Sequence, residues 1–285
     1  MPLEFAVADL QSEDGWDEAM AGCECVLHVA SPLALDDDSS DSLVRLACEG
    51  TLQVLAAAQR AGVARVVLTS SCAAATPRTS QLSGTVDETC WTDADEQGLA
   101  PYRRSKVLAE RAAWDFASRS GTIELTTILP AAVFGPARSA SALGSLQLIA
   151  ALLDGSALAI PHLGFEVVDV RDVAAAHRLA MTNPAAAGER FIVAGDLLWF
   201  GDVADILRTE LGSNASRVPV DTLGDDAFRS IAQTNPDLQT LLPLLGRDLQ
   251  HSSAKAQRVL GWQHRPATDT IVDSARCLIS FGIPA

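Results

Sequence analysis

The sequence predicts an α/β fold built on a parallel sheet, and three observations carry that reading. Apolar runs of strand length, CVLHVA (25–30), ARVVLTSS (64–71) and IELTTILP (123–130), lack the alternation of a half-exposed strand. Such runs suit parallel strands covered on both faces. Segments with helical periodicity separate them, over 40–61 and 101–118. A chain of 285 residues, 48% hydrophobic and free of long low-complexity tracts, can bury a full core.

In order, residues 4–8 (EFAVA) read as a strand ending at Asp9, and 13–21 as a short helix. The strand at 25–30 is broken by Ser31-Pro32. In the 40–61 helix Leu43, Leu46, Ala47, Leu52, Leu55 and Ala56 share one face, and Gly62 closes it at the C′ position. The strand at 64–71 leads into a polar loop from Thr76 to Leu99, and the 101–118 helix follows. The strand IELTTILPAAVFGP (123–136) breaks at Pro130, which has no N–H for a ladder. Beyond Pro136 the order is a helix near 141–154, a strand FEVVDV (165–170), a helix at 171–181 with Asp172 in its first turn and a strand at 190–195. Helices at 200–212, 252–260 and 268–281 complete the chain, with no internal repeat.

A net charge of -15 argues against nucleic acid, whose phosphates require a basic stripe. The apolar stretch LQLIAALLDGSALAI is interrupted by Asp154 and Gly155, so no membrane span is expected. The N-terminus lacks a basic and an apolar leader region, and the expected compartment is the cytoplasm. Six cysteines show neither CxxC pairing nor zinc spacing, so reduced thiols and no metal are expected. His28 and His177 lie in apolar stretches and read as packed side chains.

Tyrosine occurs once, at Tyr102, and lysine twice, at Lys106 and Lys255. In PYRRSKVLAERAAW the tyrosine and Lys106 stand four apart on a predicted helix, which places both on one face about 5–6 Å apart at Cβ. A free phenol, with a pKa of about 10, exchanges protons poorly at neutral pH. A neighbouring ammonium stabilises the phenolate and tunes it as a general acid or base for a carbonyl or alcohol oxygen. YxxxK alone also fits a surface tyrosine beside a solvated lysine. Upstream, however, VVLTSS ends a buried strand in Thr69, Ser70 and Ser71. Ligands of a parallel sheet bind beyond the carboxyl ends of its strands.

These patterns, with ADL (8–10), VLHVASP (26–32), EGTLQVLAAA (49–58), RVVLTSS (65–71), DETCWTD (87–93), PAAVFGP (130–136), VDVRDVAAAH (168–177) and AKAQRVLGW (254–262), span nearly the whole chain. The sequence resembles an extended short-chain dehydrogenase/reductase, in the branch of dihydroflavonol reductases, cinnamoyl-CoA reductases and microbial aldehyde/ketone reductases. VLHVASP and DETCWTD are specific to that branch, whereas YRRSK and TSS mark only the superfamily.

The resemblance implies a Rossmann-like sheet with a cofactor and catalytic region over 1–136. A smaller mixed substrate region would span 137–285, with the strands near 165–170 and 190–195 and the helix 171–181 partly returning to the main sheet. It implies that Ser71 holds the substrate carbonyl, Tyr102 protonates its oxygen as hydride arrives, and Lys106 lowers the tyrosine pKa and binds the nicotinamide ribose. Asp9 and Leu10 would meet the adenine. The turn Val29, Ala30, Ser31 would let backbone approach the cofactor, Pro130 and Val133 would line the nicotinamide, and Ser145 would contact a phosphate at a helix N-terminus. The cofactor would be NADP or NAD, with the resemblance leaning to NADPH. The partner would be a small carbonyl or alcohol substrate, and the protein a monomer or homodimer.

One part of the pattern is missing. The family opens with a strand, a glycine-rich phosphate loop, a helix and a second strand, a unit of roughly 30 residues. Here the first glycine is Gly15, after Asp9. The sheet is therefore expected to be N-terminally incomplete, with the 25–30 strand exposed at an edge unless 4–8 or another chain covers it. Cofactor binding by this chain is expected to be weak without that loop. The leading expectation is an NAD(P)H-dependent reductase of an aldehyde or ketone. A sugar-nucleotide epimerase or dehydratase, a hydroxysteroid dehydrogenase-like enzyme and a catalytically defective relative are the alternatives.

Overall fold

A computed structural model of the chain describes residues 3–32, 40–140 and 143–283. In order, the main elements are α1 (Trp16–Met20), β1 (Cys25–His28), α2 (Ser40–Arg60), β2 (Arg65–Thr69), β3 (Ser83–Val86), α3 (Pro101–Ser120), β4 (Glu124–Pro130) and β5 (Ala132–Phe134). Then come α4 (Leu146–Asp154), β6 (Ile160–Pro161), β7 (Gly164–Asp169), α5 (Val170–Thr182), β8 (Arg190–Val193), β9 (Leu197–Trp199) and α6 (Phe200–Leu211). The last are β10 (Thr222–Leu223), α7 (Asp225–Ala232), α8 (Pro236–Gln239), β11 (Asp248–His251) and α9 (Ala267–Ser280).

The expected parallel α/β sheet is present. Its order is β1-β2-β4-β8, every pair parallel. Its central strands are mostly apolar on both sides because both sides are covered. Val66 and Leu68 of β2 pack on Val54, Leu55 and Ala58 of α2 and Ala113 of α3. Val67, one residue out of phase, joins Ile128 of β4 on the opposite face against Val173, Ala176 and Ala180 of α5. Gly62 closes α2 with φ 73, a left-handed conformation that glycine adopts without strain. Pro130 ends β4 opposite Val193, and the chain resumes as β5 in another sheet. Its missing N–H makes this a natural break point.

The second body of structure lies around β7, which pairs parallel with β5 and antiparallel with β9. The helices α4, α6 and α9 close over it in a core containing Phe134, Leu152, Leu153, Val203, Leu207, Ile271 and Leu278. β8, by contrast, lies in the main sheet beside β4.

Several local expectations change. Residues 4–8 form no strand: the segment runs without a ladder partner, with Phe5 90% and Val7 93% exposed. A strand is held by its neighbour's hydrogen bonds, and among the described residues β1 pairs only with β2. The sheet thus has the expected open edge at β1, where Leu27 and Val29 are exposed. The first helix shortens to Trp16–Met20, because Gly15 at its N-cap takes φ 82. The expected loop over 76–99 contains β3, whose partner β11 lies far along the chain. Ser83-Gly84-Thr85-Val86 carries no apolar signal because its side chains are mostly exposed. The 252–260 helix becomes a wide-turn helix over Ala256–Leu260, and the 141–154 helix begins at Leu146. Residues 141 and 142 lie outside the described residues.

Candidate active site

The site is built where β2 ends and α3 begins. Pro101 stands at the first turn of α3, where its missing N–H costs no helical bond. From there Ser105, Lys106, Ala109, Glu110, Ala113 and Ala117 turn inward along one stripe. Tyr102, half-buried, starts the same stripe. The Lys106 ammonium stands 5.6 Å from the centre of the Tyr102 ring.

Two adjacent serines leave β2 and are put to different uses. Ser70 is buried, and its hydroxyl donates to the Glu110 carboxylate at 2.6 Å. Ser71 caps the short turn that follows, its oxygen accepting the Ala73 N–H at 3.1 Å. The Ser71 side chain is thus turned away from the buried cluster, and Ser71 is the serine that hydrogen-bonds the Tyr102 phenol. The sequence expectation names Ser71, and the division of labour supplies a physical reason for that choice.

Burial pushes the Tyr102 phenol above its ordinary value, while Ser71 pulls it back. Among the groups that act on the phenol, burial and Ser71 are the leading ones. Burial has brought Lys106 itself down to about 8, with Glu110 acting the other way. His28, at the end of β1, is buried and lowered to about 4, chiefly by burial and secondarily by Lys106. It is thus a neutral neighbour at pH 7.

Behind the serines lies a polar cluster that sequence reasoning missed. Glu110 accepts from Ser70, from Thr127 Oγ1 at 2.8 Å and from Arg190 Nε at 2.8 Å. Arg190 in turn donates to the carbonyls of Glu88 at 2.5 Å and Cys90 at 2.9 Å, and lies 3.6 Å from the centre of the Trp91 ring. DETCWTD thus owes part of its pattern to a buried arginine. The available signal was a lone carboxylate one turn beyond Lys106 on a buried helix face.

Ala30 and Ser31 join Lys106 around a small cavity completed by Thr51, Leu68, Thr69, Ser70, Ala109 and Glu110. Pro130 is buried at the end of β4, and Val133 packs with the cluster around Val67 and Ile128. Val29 is exposed beside the β1 edge. Asp9, Leu10 and Ser145 are not drawn into this group. The Asp9 carboxylate accepts the Gln11 N–H at 2.8 Å in a local turn, and its carbonyl accepts the Trp16 indole N–H at 2.9 Å. Leu10 seats against Gly50 of α2, and Ser145 precedes α4 without a side-chain cap.

The residues present fit the nicotinamide and ribose end of a dinucleotide. Lys106 is a largely buried residue that lines a cavity at the carboxyl ends of β1 and β2. Ribose hydroxyls would accept hydrogen bonds from its ammonium. Among the described residues no glycine-rich loop lies beside that cavity to cradle a pyrophosphate.

Comparison with known proteins places this geometry in a family. The model of the NAD dependent epimerase/dehydratase family matches residues 2–195. Cinnamoyl-CoA reductase 1 of Petunia hybrida is 38% identical over 72% of this chain and 61% of its own length. Cinnamoyl-CoA reductase CAD2 of Medicago truncatula is 39% identical over 72% of this chain and 64% of its own. The chain therefore spans less than two thirds of these relatives. Among solved structures, yeast methylglyoxal/isovaleraldehyde reductase Gre2 complexed with NADPH superposes with a TM-score of 0.78. It is 28% identical and is covered over 97% of this chain and 84% of its own.

Proposed function

The chain belongs to the NAD dependent epimerase/dehydratase family, and from that premise we propose that it is an NAD(P)H-dependent reductase of an aldehyde or ketone. The observation that carries the reading is the gathering of Ser71, Tyr102 and Lys106 at the carboxyl end of β2. The ammonium lies 5.6 Å from the phenol ring centre, and the second serine is locked away on Glu110.

In this reading the Ser71 hydroxyl donates a hydrogen bond to the substrate carbonyl oxygen and holds it beside the Tyr102 phenol. The reduced nicotinamide, when bound, supplies hydride to the carbonyl carbon. As the C=O π bond opens onto oxygen, Tyr102 gives its proton to that oxygen, and the alcohol forms. A phenol held above its ordinary pKa is protonated at pH 7, and the far more basic alkoxide that develops on the substrate oxygen draws the proton from it. Lys106 steadies the phenolate left behind and holds the ribose, and water restores the proton. Ala30 and Ser31, with Val29, would border the cofactor, and Pro130 and Val133 the nicotinamide. Asp9 and Leu10 are assigned to the adenine and Ser145 to a phosphate by resemblance. The names of the relatives, cinnamoyl-CoA reductase and a methylglyoxal/isovaleraldehyde reductase bound to NADPH, support a carbonyl substrate and favour NADPH.

A substrate panel tests this. The protein should oxidise NADPH in the presence of methylglyoxal, isovaleraldehyde or an aromatic aldehyde, and should leave a UDP-hexose unchanged. Conversion of the sugar nucleotide without carbonyl reduction would select the epimerase or dehydratase alternative.

A further inference from the structure

We propose that Glu110 is a positioning residue for the Ser71–Tyr102–Lys106 set, a single carboxylate that ties the serine turn, helix α3 and strands β4 and β8 together behind the reacting groups. The inference rests on the catalytic reading above.

Its two oxygens are fully subscribed. Oε2 accepts Ser70 Oγ at 2.6 Å and Arg190 Nη2 at 3.3 Å. Oε1 accepts Thr127 Oγ1 at 2.8 Å, Arg190 Nε at 2.8 Å and Trp114 Nε1 at 3.3 Å. Five donors from four elements converge on an acceptor that works only as a carboxylate. The geometry aims this cluster at the site. Ser70 precedes Ser71 directly, and Glu110 follows Lys106 and Tyr102 by one and two helical turns. Loss of the Ser70 bond would free the turn that presents the Ser71 hydroxyl.

A role limited to folding is a poorer account. A buried ion pair is often no more stabilising than apolar side chains of similar volume. Here the pair is surrounded by groups it can organise. Lys106 stands on α3, Arg190 on β8 and His28 on β1, and Glu88 receives the Ile192 N–H at 3.0 Å. His28 is neutral, Arg190 is shared with the Glu88 and Cys90 carbonyls, and Glu110 is the group that raises Lys106 against burial. One carboxylate thus orients Ser71 through Ser70 and supports charge on Lys106.

Composition makes the test direct. With one tyrosine and two lysines in the chain, Tyr102 can be titrated by ultraviolet absorbance. Lys106 can be titrated by NMR of protein carrying isotope-labelled lysine, with Lys255→Arg assigning the two signals. Neither readout needs cofactor or substrate. In Glu110→Gln, Lys106 should titrate below its wild-type position of about 8. An unchanged position overturns the proposal. Loss of the fold would instead carry Lys106 up toward about 10.4 and Tyr102 down toward about 10, and Ser70→Ala then decides. Ser70→Ala keeps the carboxylate, so Lys106 should hold its position while the Tyr102 phenol rises as Ser71 is released. A phenol titrating as in wild type overturns the proposal. Where carbonyl reduction is measured, kcat of Ser70→Ala should fall by about 10- to 100-fold with KM little changed, the signature of misplacement rather than lost binding. Failure of the reductase reading shows separately, as a wild-type protein without turnover whose titrations still report the clamp.

Discussion

The Lys106 ammonium stands 5.6 Å from the centre of the Tyr102 ring, one helical turn along α3, yet it does not bring the phenol down. Burial dominates both groups, raising the acid and lowering the amine. At neutral pH Tyr102 is therefore a protonated phenol beside an ammonium that still carries its charge.

That arrangement fixes a pH dependence. Lys106 carries its charge below about 8 and loses it above. If the ammonium supports the phenolate, kcat/KM should fall as pH rises through about 8, since this ratio reports groups of the free enzyme. Lys106→Met should lower turnover and remove that limb, measured as kcat/KM between pH 6 and 10, roughly the range in which the two forms interchange.

His28 gives a second dependence of opposite use. Its folded value is about 4 against an ordinary 6.5, so the folded state binds fewer protons than the unfolded one between those values. Stability is then fully present above pH 6.5 and is lost as pH falls toward about 4. A buried group shifted by this much accounts for about 3 kcal/mol, as an order of magnitude. Urea unfolding should show the decline, and His28→Asn should make the profile flatter.

The Arg190–Glu110 pair is expected to separate folding from activity. Arg190→Leu leaves a buried carboxylate unpaired and should cost about 3–5 kcal/mol in denaturant unfolding. Glu110→Met combined with Arg190→Leu should recover much of that stability. It should not recover turnover, because the Ser70 anchor is gone.

Trp262 tests the junction of the C-terminal segment with the main sheet. It is fully buried, and its indole N–H donates to the Asp172 carbonyl at 2.8 Å. Trp262→Ala should cost about 3–5 kcal/mol by chemical denaturation. The Tyr102 titration in the surviving folded protein should be unchanged.

Much of the sheet was legible in the sequence because β2 and β4 are buried on both faces and are mostly apolar, with Thr126 and Thr127 of β4 each hydrogen-bonded in the interior. Gly62 at the end of α2 and the break at Pro130 were legible for equally local reasons, whereas the α2 stripe was legible only in part: Leu43, Ala47 and Leu55 are buried, Leu46, Leu52 and Ala56 are half-buried, and Val54, Ala57 and Ala58 complete the buried face. What stayed hidden depends on distant partners. β3 has a polar, exposed sequence and exists because β11 pairs with it. EFAVA has strand composition but no described neighbour, and composition alone cannot supply one. In the site, Tyr102 and Lys106 are one helical turn apart and could be read directly. Glu110 joins Thr127 and Arg190 only after β4 and β8 fold beside α3, so the clamp has no sequence-local signature.

The most direct measurement is NADPH-dependent reduction of a carbonyl probe by the wild-type protein and by Tyr102→Phe, with NADPH binding followed in parallel. At NADPH concentrations high enough to offset weak binding, the account predicts turnover in the wild type, a fall of about 10²- to 10⁴-fold in the variant and nearly equal, weak NADPH affinity in both. Equal turnover in the two proteins, or none in the wild type, would contradict it.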